Sequence, residues 1–323
     1  MEGLRKSFGP VRAVREVSFQ VPAGTAFGII GPNGAGKTTT LRIVPNILSP
    51  DAGRVLFRGR PAGELPARLL GYLPEEHGLY PRMRVREQLL FFGELAGLPR
   101  AEALRRADAW IDRLGLGPWA EKPAQALSKG NAQKAQLAAA LLHEPELIVL
   151  DEPFAGLDPV NVDLLKGVIR EQVEAGRTLL FSSHRMEHVE ELCQGVCLIA
   201  GGRSILSGPV ARVKAADGRR TLRLAFAEEG EGGGGRAADG RYEALAADLG
   251  LSVARRGADY WEYLFPPGRP LEPGPLLERV RGFGTPVRFE IGLPSLERIY
   301  IDRVEEASRR AGEPAADGGV VRT

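Results

Sequence analysis

The stretch "GPNGAGKT", Gly31 to Thr38, constrains this chain more than any other. It follows a short apolar run, "TAFGII", and precedes "LRIVPNIL", which reads as a helix. A glycine-rich turn between a buried strand and a helix start lets backbone N–H groups surround a phosphate, and the helix dipole adds to their pull. In that pattern Lys37 reaches the β- and γ-phosphates, and Thr38 supplies a hydroxyl to Mg²⁺. Gly31, Pro32, Asn33, Gly34, Ala35, Gly36, Lys37, Thr38 and Thr39 are therefore expected around a nucleoside polyphosphate. Pro45 is expected to kink the helix, because its ring meets the carbonyl of Leu41.

Such a loop serves kinases, GTPases and motors alike, and a second motif narrows the choice. "LIVLDEP" is an apolar strand run that ends in Asp151 and Glu152. Asp151 is placed to hold Mg²⁺, directly or through water, and Glu152 can polarise an attacking water. "TLLFSSH" is another apolar run, with His184 at its end, and "NVDLLKGVIREQVEAG" reads as the helix between the two, a βαβ unit. In a parallel sheet His184 emerges on the carboxyl edge where ligands collect, within reach of a γ-phosphate or a water. His188, one helical turn on, is expected as an exposed helix residue.

The segment from about Arg82 to Pro145 has apolar spacing near 3.6 and is expected to be mostly helical. "REVSFQVPAG" reads as strands around a turn. After about Pro209 the pattern changes to β-α-β-β-α-β-α, the ferredoxin-like order with an added helix. Within it, "AEEGEGGGGRAADG" is expected as a mobile loop. Three parts follow: 1–210, 211–306 as a small α+β domain, and 307–323 as a disordered tail.

A formal net charge of +2 argues against a nucleic-acid partner. Cys193 and Cys197 read as buried thiols one helical turn apart, with too few further ligands for a metal. No apolar run approaches the ~20 residues that span a bilayer, and no leader pattern opens the chain, so a membrane role is expected to pass through a partner.

In order along the chain come Phe8, "GPNGAGKTTT", "GYLPEEHGLYP", "LSKGNAQK", "LIVLDEP", "FAGLDP" and "SSH". This set, from about Leu4 to Pro209, resembles an ATP-binding-cassette transporter ATPase. It is most similar to the cytoplasmic ATPases of ABC-2-type exporters, the class that includes drug-resistance and sodium-extrusion pumps. "GLPSLERIYIDRV" resembles the end of the accessory domain that some of these carry.

The resemblance implies an α/β fold with a mixed sheet and a helical subdomain, with ATP and Mg²⁺ as ligands. It implies a homodimer or heterodimer that sandwiches two ATP molecules, and permease subunits at the cytoplasmic face of the cell membrane. Phe8 then stacks on adenine, with a core phenylalanine as the alternative. Glu75 stands where the family usually has glutamine, a contact for Mg²⁺ and water, and it adds a negative charge there. The segment from Glu75 to Leu95 would face the permease. Asp158 lies in the loop that crosses the dimer interface.

"LSKGN" matches the signature usually written LSGGQ. Ser128 can cap the following helix. Its hydroxyl and the Gly130 N–H would face the partner's γ-phosphate, while Lys129 either points away or adds charge there. The resemblance implies several residues of strand ahead of "LRKSFG", where only "MEG" stands, so a shortened edge strand or a start site called too late is expected. Other readings stay open at this point: a soluble cassette acting on ribosomes or DNA, a regulatory cassette that hardly hydrolyses ATP, and an importer.

Overall fold

The computed structural model of the protein describes residues 1–76, 78–227, 236–257 and 259–311. The chain forms two compact units that divide between Val210 and Ala211. In chain order the first carries β1 (Glu2–Phe8), β2 (Val11–Val17), β3 (Ala26–Ile30), α1 (Lys37–Ile43), β4 (Ala52–Arg54), β5 (Leu56–Phe57) and β6 (Arg60–Pro61). It continues with β7 (Leu70–Leu73), α2 (Val85–Leu95), α3 (Arg100–Arg113), α4 (Lys129–Leu141), β8 (Leu147–Leu150) and α5 (Pro159–Glu174). It closes with β9 (Thr178–Ser183), α6 (Met186–Leu192), β10 (Gly195–Ala200) and β11 (Arg203–Pro209), before α7 (Val210–Ala216) leads on.

These strands form a nine-stranded mixed sheet in the order β4-β1-β2-β11-β10-β3-β9-β8-β7. β10, β3, β9, β8 and β7 pair in parallel, and β4, β1 and β2 pair antiparallel. The strands β3, β8 and β9 are buried along their whole length. That explains why they read as continuous apolar runs rather than alternating ones. Phe19 and Phe27 stack with ring centroids 5.1 Å apart, in a core shared with Leu41, Ile43, Val149 and Leu180. The region expected to be helical holds α2, α3 and α4.

The second unit adds β12 (Thr221–Phe226), α8 (Arg236–Leu249), β13 (Ser252–Arg256), β14 (Trp261–Leu264), α9 (Pro273–Arg281), β15 (Pro286–Gly292) and α10 (Leu296–Ala311). Its antiparallel sheet runs β13-β14-β12-β15, and one face packs Leu222, Leu224, Trp261 and Tyr263 against Leu245, Leu249, Leu276 and Val280.

Several expectations change. Pro45 ends the helix rather than kinking it: α1 stops at Ile43, and Asn46 turns to φ 60. The strands expected in "REVSFQVPAG" reduce to the end of β2. β1 is seven residues long and lies inside the sheet between β4 and β2, not on a shortened edge. α8 begins at Arg236, inside the segment read as a loop, because its alanines carry the helix back from Tyr242. The rest of that loop, 228–235, lies outside the described residues. α10 runs to Ala311, so 307–311 continue a helix, and 312–323 lie outside the described residues.

Candidate functional site

Four neighbouring parallel strands, β3, β9, β8 and β7, end at one edge of the sheet. The phosphate loop follows β3, His184 follows β9, Asp151 and Glu152 follow β8, and Glu75 follows β7. Four segments far apart in sequence thus converge because parallel strands deliver their carboxyl ends to the same side.

A cleft of about 410 Å³ opens there, lined by Val11, Arg12, Ala13, Asn33, Gly34, Gly36, Lys37, Thr38, Thr39, Glu75 and Glu152. Gly36 has φ 101, and a Cβ on it would lie 2.5 Å from the Ala13 carbonyl oxygen, so only glycine fits. Ala35 is buried, and its N–H donates to the Pro32 carbonyl at 3.2 Å. The Lys37 ammonium donates to the carbonyls of Gly31 at 2.8 Å and Pro32 at 3.1 Å. It also stands 3.8 Å from Glu152 Oε1.

Thr38 Oγ1 lies 3.2 Å from Glu75 Oε2 and 3.2 Å from Asp151 Oδ1. A hydroxyl has one hydrogen and can serve only one of these carboxylates at a time. Asp151 is fully buried, and its Oδ2 has no hydrogen-bond partner among the described residues. Two carboxylates and a hydroxyl form an oxygen donor set that suits a hard cation such as Mg²⁺. Burial holds the Asp151 carboxyl above its ordinary range, against hydrogen bonds from Ser182 and Thr38 that pull it down.

Glu152 is also lifted by burial, and the nearby His184 and Lys37 partly offset this. His184 Nδ1 lies 3.0 Å from Glu152 Oε2. The Glu152 backbone has φ 48, in the left-handed region that costs a non-glycine residue about 1–3 kcal/mol. Ser182 Oγ accepts its N–H at 2.9 Å and donates to Asp151 Oδ1 at 2.6 Å.

Phe8 is 47% exposed and pairs with Val11, which lines the cleft. It is therefore not a core phenylalanine. Ser128, Gly130 and Asp158 do not line this cleft. They form a second group at two helix starts. Ser128 caps α4 by accepting the Asn131 N–H at 3.3 Å, and Asp158 caps α5 by accepting the Asn161 N–H at 3.0 Å. The backbone N–H of Asn161 is the main reason the Asp158 carboxyl sits below its ordinary range. A Cβ on Gly130 would lie 3.4 Å from Leu157, and one on Gly156 would meet Lys129 side-chain atoms at 2.6–2.8 Å. Lys129 thus lies across Gly156 of its own chain.

Two expectations fail here. His188 is buried, not exposed, with its ring centroid 4.7 Å from that of Phe154. Cys193 follows α6 and Cys197 lies in β10, so they share no helix, and burial pushes the Cys197 thiol up to about 12. Sequence reasoning also passed over Ser182, Arg12 and Gln133, whose amide donates to the Pro153 carbonyl at 3.1 Å. Two serines at the end of a fully buried strand are a signal, because a buried hydroxyl requires a partner.

The chain is similar to known proteins along most of its length. The family described as "ABC transporter" matches residues 14–155. "Uncharacterized ABC transporter ATP-binding protein YhaQ" of Bacillus subtilis is 37% identical over 310 residues, covering 94% of this chain and 97% of that one. "Nod factor export ATP-binding protein I" of Ralstonia nicotianae is 39% identical over 211 residues, 64% of this chain and 66% of that one. A solved structure, "ATP binding subunit of ABC transporter", superposes with a TM-score of 0.62 at 29% identity, covering 67% of this chain and 92% of that one. The phosphate loop, the carboxylates beside it and full-length similarity agree: the chain belongs to the ABC transporter ATP-binding family, and is an ATP-hydrolysing subunit of a membrane transporter.

Proposed function

We propose that this subunit drives an exporter, pairing with a second ATPase chain and with separate ABC-2-type permease subunits at the cytoplasmic face of the membrane. The similarity to a protein named for Nod factor export supports the direction. Among the described residues no helix is long and apolar enough to cross a membrane, which fits a transport path supplied by other chains. The exposed Tyr80, Phe91 and Leu95 offer apolar surface for that contact. The second unit acts as an accessory domain.

The observation that carries the site assignment is the 3.0 Å contact between His184 and Glu152 beside the phosphate loop. Glu152 accepts a proton from the attacking water, and His184 orients it and contacts the γ-phosphate. Gly31 to Thr39 hold the β- and γ-phosphates, with Lys37 moving from its loop carbonyls onto them, and Phe8 stacks on adenine. Thr38, Asp151 and Glu75 hold Mg²⁺, which supplies charge neutralisation to the phosphates. Ser128, Gly130 and Asp158 act across the dimer, where closure brings a partner's helix start to the γ-phosphate.

The test is Glu152→Gln. Turnover falls by about 10²–10⁴-fold, and ATP traps a stable dimer on size-exclusion chromatography. Unchanged turnover removes Glu152 as the base. A monomer that binds ATP without pairing removes the sandwich.

A further inference from the structure

We propose that the cleft where β1, β2 and β11 meet carries a second anion site, built for a compact phosphate-bearing ligand. Arg5 and Ser7 from β1, Arg12, Arg15 and Glu16 from β2, and Arg203 from β11 line one cleft of about 340 Å³. The sheet register places them together: Ser7 pairs with Arg12, and Arg203 pairs with Glu16.

The charge of this cleft is not balanced. Arg203 makes an ion pair with Glu16 at 3.3 Å. Lys6, next in sequence to Arg5, is held by Asp51 at 3.0 Å. Arg5, Arg12 and Arg15 have no carboxylate partner among the described residues. Elsewhere in the chain arginines on adjacent elements meet glutamates and aspartates, as Arg86 meets Asp108 and Glu121. Here three guanidiniums converge on one concavity, and like charges held side by side on a sheet repel. A bound anion relieves that repulsion. A cleft of one sign also focuses the field and raises the local anion concentration.

The chemistry selects phosphate. Guanidinium groups present planar forks that match phosphate oxygens two at a time, and the Ser7 hydroxyl is a further donor. The site differs from the nucleotide cleft, for it has neither a glycine loop nor a hydroxyl between two carboxylates. Its ligand is therefore bound as the anion itself, without dependence on a divalent cation. The volume, at about 30 Å³ per water, holds roughly ten waters, enough for a di- or triphosphate group.

Arg12 lines both clefts. Arg12 is therefore left out of the variants below, because it also borders the nucleotide cleft. The source of the phosphate is either a free polyphosphate or a phospholipid headgroup, and both arms are tested.

The experiment uses the full chain with its nucleotide cleft saturated by a non-hydrolysable ATP analogue. Pyrophosphate is titrated calorimetrically, and phosphatidylglycerol vesicles are tested by co-sedimentation. One further pyrophosphate per chain, or vesicle binding, is expected. The response weakens about tenfold or more in Arg5→Gln/Arg15→Gln, while analogue affinity stays within about twofold. Arg54→Gln/Arg60→Gln removes the same charge elsewhere and retains the response. The proposal is overturned by no response in either arm, by a double variant that behaves as wild type, or by equal loss in the Arg54/Arg60 control. Loss of analogue binding in the wild type would instead strike at the nucleotide site itself.

Discussion

Ser182 holds Asp151: its hydroxyl donates to Oδ1 at 2.6 Å, and the same oxygen accepts the Glu152 N–H at 2.9 Å. One side chain from β9 thus fixes both carboxyl-bearing residues at the end of β8. Ser182→Ala leaves a buried carboxylate short of a donor and a buried N–H without an acceptor. Each loss costs about 1–3 kcal/mol, so thermal unfolding occurs several degrees lower. ATPase activity falls as well, because Glu152 loses the anchor for its strained backbone. An unchanged melting temperature would show that water replaces the hydroxyl.

Burial raises the Glu152 carboxyl, and the neighbouring His184 is the largest influence that opposes it. With Glu152 as the proposed base, raised by burial, protonation occurs at a higher pH than for an ordinary glutamate, so activity is lost earlier on acidification. His184→Ala moves the acid limb of the ATPase pH profile to still higher pH. A drop in rate with the limb in place would leave His184 a contact to phosphate only. The same shifts act on stability with a definite sign. Asp151 and Glu152 are both raised in the folded chain. Their support is fullest below the ordinary carboxylate range and is lost as pH rises through the raised values. Glu152→Gln therefore flattens the decline of melting temperature from acid toward neutral pH.

Glu75 and Asp151 share the Thr38 hydroxyl at 3.2 Å each. Glu75→Gln removes one negative charge from that pair and leaves its oxygen. Binding of Mn²⁺ to the nucleotide-free chain, followed by electron paramagnetic resonance, weakens about tenfold, a loss of roughly 1.4 kcal/mol. Equal affinity in the two proteins would place Glu75 outside the ion's reach.

Lys129 lies over Gly156, where a Cβ would meet its side chain at 2.6–2.8 Å. Gly156 also has φ 70. Gly156→Ala therefore carries a backbone cost of about 1–2 kcal/mol and a further cost of displacing Lys129. The second part disappears in a Lys129→Ala background, so a double-mutant cycle by urea unfolding gives about 0.5 kcal/mol or more of coupling. Lys129→Gly with unchanged ATP affinity and turnover would make the lysine a solvated helix-start residue.

The phosphate-loop turn and the buried strands were legible because they are local. "GPNGAGKT" needs only a strand, a turn and a helix start to present a phosphate-binding turn, and the apolar cores "LIVL" and "LLF" declare buried strands. The helix start at Ser128 was equally readable, since capping depends on a residue three positions on, whereas the cap at Asp158 emerged only in the structure. The misses share a cause. His188 looks exposed from its place in α6, and only packing against Phe154 buries it. Pro45 looked like a kink, yet nothing local tells a kinked helix from one that ends.

The sequence by itself determined the glycine-rich turn proposed to meet phosphate, because that turn lies within one short segment. Only the tertiary structure decided that Ser182 ties Asp151 to Glu152, that Lys129 rests on Gly156, and that Arg5, Arg12, Arg15 and Arg203 share a cleft. Strand order and register create the first and last of these contacts, and the placing of α4 beside the turn before α5 creates the second. They pair residues up to about two hundred positions apart, as Arg203 pairs with Glu16, and no local pattern along the chain encodes which strand will lie beside which.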